Sequence, residues 1–237
     1  MTARVLLAAY AVASVLNIAG QLVDGTALDT ATKPLLMPLL LGVLLASARL
    51  GTRLLRATAA ALVFSWLGDL FLMPGGDTWF LLGLAAFLGA QVCYCIGFAT
   101  RFSDSPLRRR RALVAPYVAW WLLLLVVLGP DLGGMVVPVA VYGAVLCTMA
   151  ALATGVHRWT TIGALLFVAS DSVLAATSLS DRLSVPADGA VVMTTYTLGQ
   201  ALIVLGVLAA SGAGLGAGRA GVSSPGARTP PSTAGAA

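Results

Sequence analysis

The feature that most constrains this chain is its succession of long apolar runs. A helix that spans a bilayer needs about 20 mostly apolar residues. Eight segments meet this requirement, namely 4–23, 33–48, 54–73, 78–100, 112–128, 134–155, 159–178 and 190–211. Charged residues make up only 10% of the chain, against about 25% of a soluble domain. The sequence therefore predicts an all-α polytopic membrane bundle of about eight transmembrane helices over residues 1–211. In the second run, Pro34 and Pro38 fall in the first turns, where proline is tolerated.

The basic residues between these runs predict an orientation. If the N-terminus is cytoplasmic, twelve of the fourteen Lys and Arg residues lie on the cytoplasmic side, and only Lys33 and Arg182 lie outside. Cytoplasmic loops of membrane proteins carry such an excess of basic residues. We therefore expect an integral protein of a bacterial plasma membrane with both termini in the cytoplasm. The run Arg108–Arg111 is the strongest part of this signal, and it can also contact anionic lipid headgroups.

The composition changes after residue 211. Residues 212–237 consist mainly of Gly, Ala, Ser, Pro and Thr. A segment with so few large apolar residues cannot bury enough surface to fold. We therefore expect residues 212–237 to form a disordered cytoplasmic tail.

Composition also argues against several kinds of partner. The net charge of +5 is explained by membrane orientation, so we expect no nucleic acid partner. The chain has a single histidine, His157, and its three cysteines, Cys93, Cys95 and Cys147, lie within apolar runs. This set lacks the spacing of a metal site. We expect no metal and no cofactor, and the oligomeric state stays open.

Two aspartates interrupt runs that are otherwise apolar, Asp69 in LVFSWLGDLFLM and Asp171 in GALLFVASDSVLAA. A charged side chain near the middle of a membrane helix costs roughly 2.5–3.5 kcal/mol and marks a functional site by default. Both helices run from the inside to the outside, which places the two carboxyls at similar depth in the outer half of the bilayer. Asp69 and Asp171 are therefore the candidate catalytic residues.

Other polar side chains fall at a similar depth and form the candidate substrate-binding set: Asn17, Lys33, Gln91, Tyr142, Tyr196 and Gln200. Helical spacing places Ser65 with Asp69, and Tyr196 with Gln200, on shared faces because each pair is four residues apart. Small residues beside them, including Gly163 and Gly199, allow close helix packing. The alternative is that these polar groups only form hydrogen bonds that hold the bundle together.

Several motifs together resemble the YhhN-like lysoplasmalogenase family of eight-span membrane proteins. They are KPLLMPLLL from Lys33, SWLGDLFLM from Ser65, FLLGLAAFLGAQVCY from Phe80, PYVAW from Pro116, the pair Pro138 and Tyr142, GALLFVASDSVLA from Gly163, and TYTLGQALIVLG from Thr195. The resemblance covers roughly residues 5–208. Many members have a histidine where this chain has Gln91, and glutamine cannot carry a proton in the same way.

The resemblance implies hydrolysis of the vinyl ether bond of a lysoplasmalogen, a lysophospholipid. The products are a fatty aldehyde and a glycerophosphoethanolamine or glycerophosphocholine. The reaction passes through an oxocarbenium ion, so one carboxylic acid must give a proton while a carboxylate stabilises the cation or activates water, as in glycosidases. We expect Asp69 and Asp171 to share these roles, Lys33 to meet the phosphate, and Asn17, Tyr196 and Gln200 to orient water or the glycerol. Asn in place of either aspartate should abolish aldehyde release.

Two alternatives use the same aspartates. Paired carboxylates inside a membrane also serve proton-coupled transport, although this chain shows no obvious inverted repeat. A lipid-binding protein would use the same cavity without chemistry. Proton uptake by proteoliposomes would favour the first alternative, and copurified lipid without turnover would favour the second.

Overall fold

The computed structural model describes residues 2–23, 27–213 and 215, and these residues fold into helices without a β-strand. The nine α-helices are α1 Ala3–Leu22, α2 Ala27–Ser47, α3 Arg53–Phe71, α4 Asp77–Phe98, α5 Pro106–Arg109, α6 Ala115–Leu132, α7 Val136–Ala153, α8 Arg158–Leu179 and α9 Asp188–Ala210. Most of the predicted tail, residues 212–237, lies outside the described residues.

Eight of these helices, all except the four-residue α5, are long enough to cross a membrane. By length and hydropathy the described residues contain seven continuous apolar segments, and the longest, Arg111–Ala153, has 43 residues. That segment contains both α6 and α7, which are separated at Gly133 by a positive φ of 47°. The prediction of an all-α membrane bundle of about eight spans is therefore confirmed, and the chain is an integral membrane protein.

Helix α2 differs from its prediction. It begins at Ala27, six residues before the predicted start, so Pro34 and Pro38 lie inside the helix and not in its first turns. Pro38 has no N–H to donate to the carbonyl of Pro34. The indole N–H of Trp66 on α3 donates to that carbonyl instead, at 2.9 Å. The proline that breaks the helical ladder of α2 thus creates the hydrogen bond that joins it to α3.

Helix α9 lies at the centre of the bundle and packs against α1, α2, α3 and α8. Its contact with α8 depends on two glycines that face each other. A Cβ atom added at Gly163 would lie 2.5 Å from the carbonyl oxygen of Gly199, and one added at Gly199 would lie 2.8 Å from that of Gly163. Backbone atoms cannot move aside as a flexible side chain can, so the two helices approach this closely only because both residues are glycine.

Helix α6 lies at the periphery and packs against α7 and α8. Its two buried residues, Leu128 and Leu132, lie in its last turns. The last turns are also held by a polar contact, because Asp131 accepts hydrogen bonds from Ser180 and Arg182 in the α8–α9 connection.

The helices α1, α3, α6 and α8 begin at the same end of the bundle, which is called the arginine end here. It is named after the arginines that lie there: Arg4, Arg49, Arg53, Arg56, Arg101, Arg108–Arg111 and Arg158.

Candidate functional site

An apolar cavity of about 60 Å³, part of it open to the outside, lies between α4, α6, α7 and α8. Helix α6 contributes leucines and Trp121, and α4 contributes Phe80, Leu84 and Phe87. The polar side chains in its lining are Tyr142, Asp171 and Ser172, together with the indole of Trp121. Such an apolar lining is chemically suited to an alkyl chain, and its few polar groups are the ones that can act on a bound molecule.

Asp171 is the carboxyl that reaches this cavity, and Tyr142 holds it. Asp171 lies eight residues before the end of α8 and is half-buried. The hydroxyl of Tyr142 on α7 donates to Oδ2 of Asp171. Oδ1 has no hydrogen-bond partner among the described residues. Asp171 therefore has one oxygen fixed by the protein and one available to a ligand.

Asp69 is in a different setting, in the core between α3 and α9. Its side chain is 2% exposed and does not line the cavity. Tyr196 donates to Oδ2 of Asp69 at 2.9 Å, and four residues along each helix Gln200 donates to Ser65 at 3.0 Å. The predicted pair of Ser65 and Asp69 on α3 therefore faces the predicted pair of Tyr196 and Gln200 on α9. Lys33 on α2 is close enough to attract the Asp69 carboxylate without a salt bridge.

Three aromatic rings lie between the two carboxyls. Phe87, Phe167 and Tyr196 pack edge to face, with ring centroids 5.4 to 6.3 Å apart. Phe87 lines the cavity of Asp171, while the hydroxyl of Tyr196 bonds Asp69. The two carboxyls still interact electrostatically across this cluster. Of the two aspartates only Asp171 lines the cavity, and the contact between Phe87 and Tyr196 links its surroundings to those of Asp69.

Gln91 lies one helical turn beyond Phe87 on α4 and is fully buried. It is near the hydroxyl of Tyr142, yet neither its Oε1 nor its Nε2 has a hydrogen-bond partner within the described structure. A buried polar group without a partner costs about 1–3 kcal/mol. The amide beside Tyr142 is therefore a candidate for binding a substrate hydroxyl or a water molecule.

Of the six predicted binding residues only Tyr142 lines the cavity, and the other five do not: Asn17, Lys33, Gln91, Tyr196 and Gln200. Asn17 donates to the carbonyl of Asp29 at 3.0 Å and to Thr32 at 3.1 Å, which joins α1 to the first turns of α2. Gln200 accepts from Tyr94 at 2.6 Å in addition to its bond with Ser65. Both amide atoms of Gln200 are used in contacts between helices, whereas only Nδ2 of Asn17 is, and its buried Oδ1 has no partner among the described residues.

The matched segment decides the family. The sequence model of the YhhN family matches residues 28–207, more than half of the chain. This chain belongs to the YhhN family. The matched part contains nearly all of α2 and α9 and every helix between them, so both aspartates and both tyrosines lie inside it and Asn17 lies before it.

Relatives of this YhhN protein carry names that state an activity. It is 40% identical over 157 residues to human "Lysoplasmalogenase TMEM86B", which covers 62% of this chain and 62% of the human protein. It is 39% identical over 123 residues to "Lysoplasmalogenase" of Mycobacterium tuberculosis, covering 48% and 46%. The bovine "Lysoplasmalogenase TMEM86A" is 32% identical over 156 residues, covering 61% and 62%. The chain thus spans about half to three fifths of the length of these relatives. No solved structure gives a significant match.

Sequence reasoning did not identify the wall that α6 forms in this YhhN protein. Trp121 lines the cavity, and its indole N–H donates to the carbonyl of Ala140 on α7 at 2.9 Å. The neighbouring Trp120 donates to Ser172 on α8 at 3.1 Å. The signal was the presence of two adjacent tryptophans in an apolar run. A buried indole usually finds a hydrogen-bond partner. A tryptophan in such a run is therefore expected to be held to a neighbouring helix, which the surrounding leucines cannot be by a hydrogen bond.

Proposed function

We propose that this chain is a membrane-embedded hydrolase that cleaves the vinyl ether bond of a lysoplasmalogen. The products would be a fatty aldehyde and a glycerophosphoethanolamine or glycerophosphocholine. The observation that carries the proposal is the Tyr142–Asp171 pair at the wall of an apolar cavity. The names of the relatives support it, because all three relatives described above are called lysoplasmalogenases.

The chemistry fits the geometry of Asp171. In its acid form, Asp171 gives the proton on Oδ1 to the vinyl carbon distal to the ether oxygen, and the carbon next to that oxygen becomes an oxocarbenium centre. Water adds to this centre and returns a proton to Asp171. The hemiacetal then transfers its hydroxyl proton to the glyceryl oxygen as the carbon–oxygen bond breaks. The bond from Tyr142 to Oδ2 fixes the orientation of the carboxyl, as general acid catalysis requires.

We assign Asp69 the role of a fixed negative charge. Tyr196 donates to it at 2.9 Å and Lys33 attracts its anionic form. A carboxylate held in this way stabilises a cation that forms nearby, since preorganised charges act strongly where water is excluded. On this assignment Lys33 is the counter-ion of Asp69 and not the ligand of the substrate phosphate.

We further propose that Gln91 positions the attacking water or a glycerol hydroxyl. Its amide is buried beside Tyr142 and has no partner among the described side chains. Gln91→Leu should therefore lower the rate of aldehyde release while leaving the protein as stable as before or more so, because an unpaired buried amide is removed. A variant that is less stable and fully active would contradict this role.

For the cellular setting we propose a bacterial plasma membrane with both termini in the cytoplasm. The arginine end would then face the cytoplasm, in keeping with the positive-inside rule. Asp69 and Asp171 both lie in the second halves of helices that start at the arginine end. The substrate would accordingly react in the outer half of the bilayer.

The experiment that tests the activity uses purified protein and three lysolipids with one headgroup: a 1-alkenyl, a 1-acyl and a 1-alkyl form. Free aldehyde and free fatty acid are measured in parallel. We expect aldehyde from the alkenyl lipid alone. Fatty acid from the acyl lipid would contradict the proposal in favour of an ordinary lysophospholipase. Bound alkenyl lipid without turnover would contradict it in favour of a binding protein.

A further inference from the structure

A second cavity lies at the arginine end, between α6, α7 and the segment that precedes α6. It has a volume of about 700 Å³ and is partly open to the outside. Its apolar wall includes Val118, Trp121 and Ala151, and its lining also contains Arg108 and Arg111. We propose that this groove binds one anionic phospholipid, with its phosphate on the two arginines and an acyl chain between α6 and α7.

The two arginines are free to bind a phosphate. Both are exposed, and the single salt bridge among the described residues joins Arg182 to Asp131 at the other end of the bundle. Arg108 lies in the short helix α5 and Arg111 starts the 3-10 turn that leads into α6. Two guanidinium groups three residues apart can grip the oxygens of one phosphate, because each offers paired N–H donors.

From the arginine end inward, the groove changes from charged to apolar, as a phospholipid does from its headgroup to its acyl chains. Arg108 and Arg111 precede the first residue of α6, at Ala115, whereas Trp121 lies six residues into that helix. At 1.5 Å per residue, Trp121 is about 9 Å deeper than the start of α6. Charge at the interface and an apolar wall below it match a phosphate headgroup followed by an acyl chain. A free phosphate ion would leave the apolar wall without a partner.

The charge of the surroundings favours an anionic lipid over a zwitterionic one. Arg109 and Arg110 flank the two lining arginines, so four positive charges lie in succession. An ammonium group in the headgroup would be repelled by them, whereas a glycerol headgroup would not. Juxtamembrane basic residues attract anionic lipid by about 1 kcal/mol each.

The groove also adjoins the cavity of Asp171. Trp121 lines both cavities, and its indole is fixed to Ala140. In its first turns α6 has no buried residue of its own. A lipid in the groove therefore supplies packing for the part of α6 that the protein leaves uncovered, and it contacts the wall of the Asp171 cavity.

The test is titration of the full chain in neutral detergent with phosphatidylglycerol or phosphatidylcholine of identical chains, followed by native mass spectrometry. We expect one phosphatidylglycerol to bind in preference to phosphatidylcholine. Arg108→Gln with Arg111→Gln should weaken its binding about thirtyfold, from about 1 kcal/mol per charge. Arg109→Gln with Arg110→Gln removes the same charge from the same run, but outside the lining, so it loses only attraction that acts at a distance and is screened by salt, and it should weaken binding clearly less.

A third variant tests the acyl chain. Ala151→Phe fills the apolar wall and leaves every charge in place, so it should weaken phosphatidylglycerol binding as well. Equal losses in the two arginine double variants would overturn the proposal, since they would show general attraction to a basic surface. Unchanged binding by Ala151→Phe together with displacement by inorganic phosphate would also overturn it, in favour of a simple anion site. None of these readouts depends on hydrolysis.

Discussion

The surroundings of Asp69 and Asp171 are alike in their bonds and different in their access. Each carboxyl accepts a hydrogen bond from a tyrosine on a neighbouring helix, Tyr196 in one case and Tyr142 in the other. Asp69 is 2% exposed in the packed core, whereas Asp171 is half-buried and lines an apolar cavity. A Tyr–Asp hydrogen bond thus occurs once in the packed core and once at the wall of a cavity that is partly open to the outside.

On the proposed mechanism, this difference in access makes Asp171 the reacting group and Asp69 the supporting one. A proton donor must lie within hydrogen-bond reach of the atom that it protonates, and we propose Asp171 for this role because it lines the cavity and one of its oxygens is unbonded. A charge that stabilises a cation acts over a longer range, and Asp69 can do this across the aromatic rings of Phe87 and Phe167. Two costly intramembrane carboxyls therefore need not share one pocket to act in one reaction.

The largest expected effect is that of Asp171→Asn. The amide keeps the shape and can still accept a bond from Tyr142, but it has no acidic proton to give. Aldehyde release should fall by about 10² to 10⁴, the usual contribution of general acid catalysis. The measurement is the initial rate in detergent or vesicles at equal amounts of folded protein. Near wild-type activity in this variant would remove Asp171 from the reaction.

Asp69→Asn should have a smaller effect. The carbonyl of the amide can still accept from Tyr196, so the contact between α3 and α9 remains while the negative charge is lost. We expect the rate to fall about tenfold to a hundredfold, with the protein still folded by gel filtration and thermal unfolding. A loss larger than that of Asp171→Asn would reverse the two assigned roles.

The tyrosines provide a matched pair of variants. Tyr142→Phe removes the bond that orients the reacting carboxyl, and Tyr196→Phe removes the bond to the supporting one. We expect about a tenfold loss of rate in Tyr142→Phe and a smaller loss in Tyr196→Phe. Measured pH–rate profiles should shift in Tyr142→Phe, because the carboxyl loses a hydrogen bond whose strength depends on its protonation state, and a purely structural role would leave the profile unchanged.

The smallest expected effect on the chemistry comes from the glycine contact that holds α8 on α9. Gly163→Ala should lower the free energy of unfolding by about 1–3 kcal/mol, the usual cost of overpacking. Gly129→Ala on α6 is the control, because a Cβ there meets nothing within 4 Å. Thermal unfolding in detergent compares the two. Equal stability would mean that the α8–α9 contact is looser than described.

The spans and the polar faces could be read from the sequence because each depends on local spacing. Bilayer thickness sets the length of an apolar run, so the eight helices were predicted close to their observed bounds. The exception is the start of α2, which lies at Ala27 and not at residue 33. Asp29 and Thr32 belong to this helix, and both accept hydrogen bonds from Asn17 on α1.

Which helices face each other could not be predicted in the same way. Periodicity placed Ser65 with Asp69 and Tyr196 with Gln200, but it gave no reason to pair α3 with α9 or Tyr142 with Asp171. Those pairings follow from close packing between distant segments, as at Gly163 and Gly199. The cavity wall on α6 was missed for the same reason, since apolar residues around Trp121 carry no periodic signal.

The most direct test of the central claim is to follow the proton that Asp171 is proposed to deliver. Turnover of a lysoplasmalogen in D2O, with the aldehyde trapped by reduction and analysed by mass spectrometry, shows where hydrogen is added. We predict one deuterium at carbon 2 of the chain for the wild type, the same label at a lower rate for Asp69→Asn, and almost no labelled product for Asp171→Asn. Labelled aldehyde from Asp171→Asn at the wild-type rate would contradict the account.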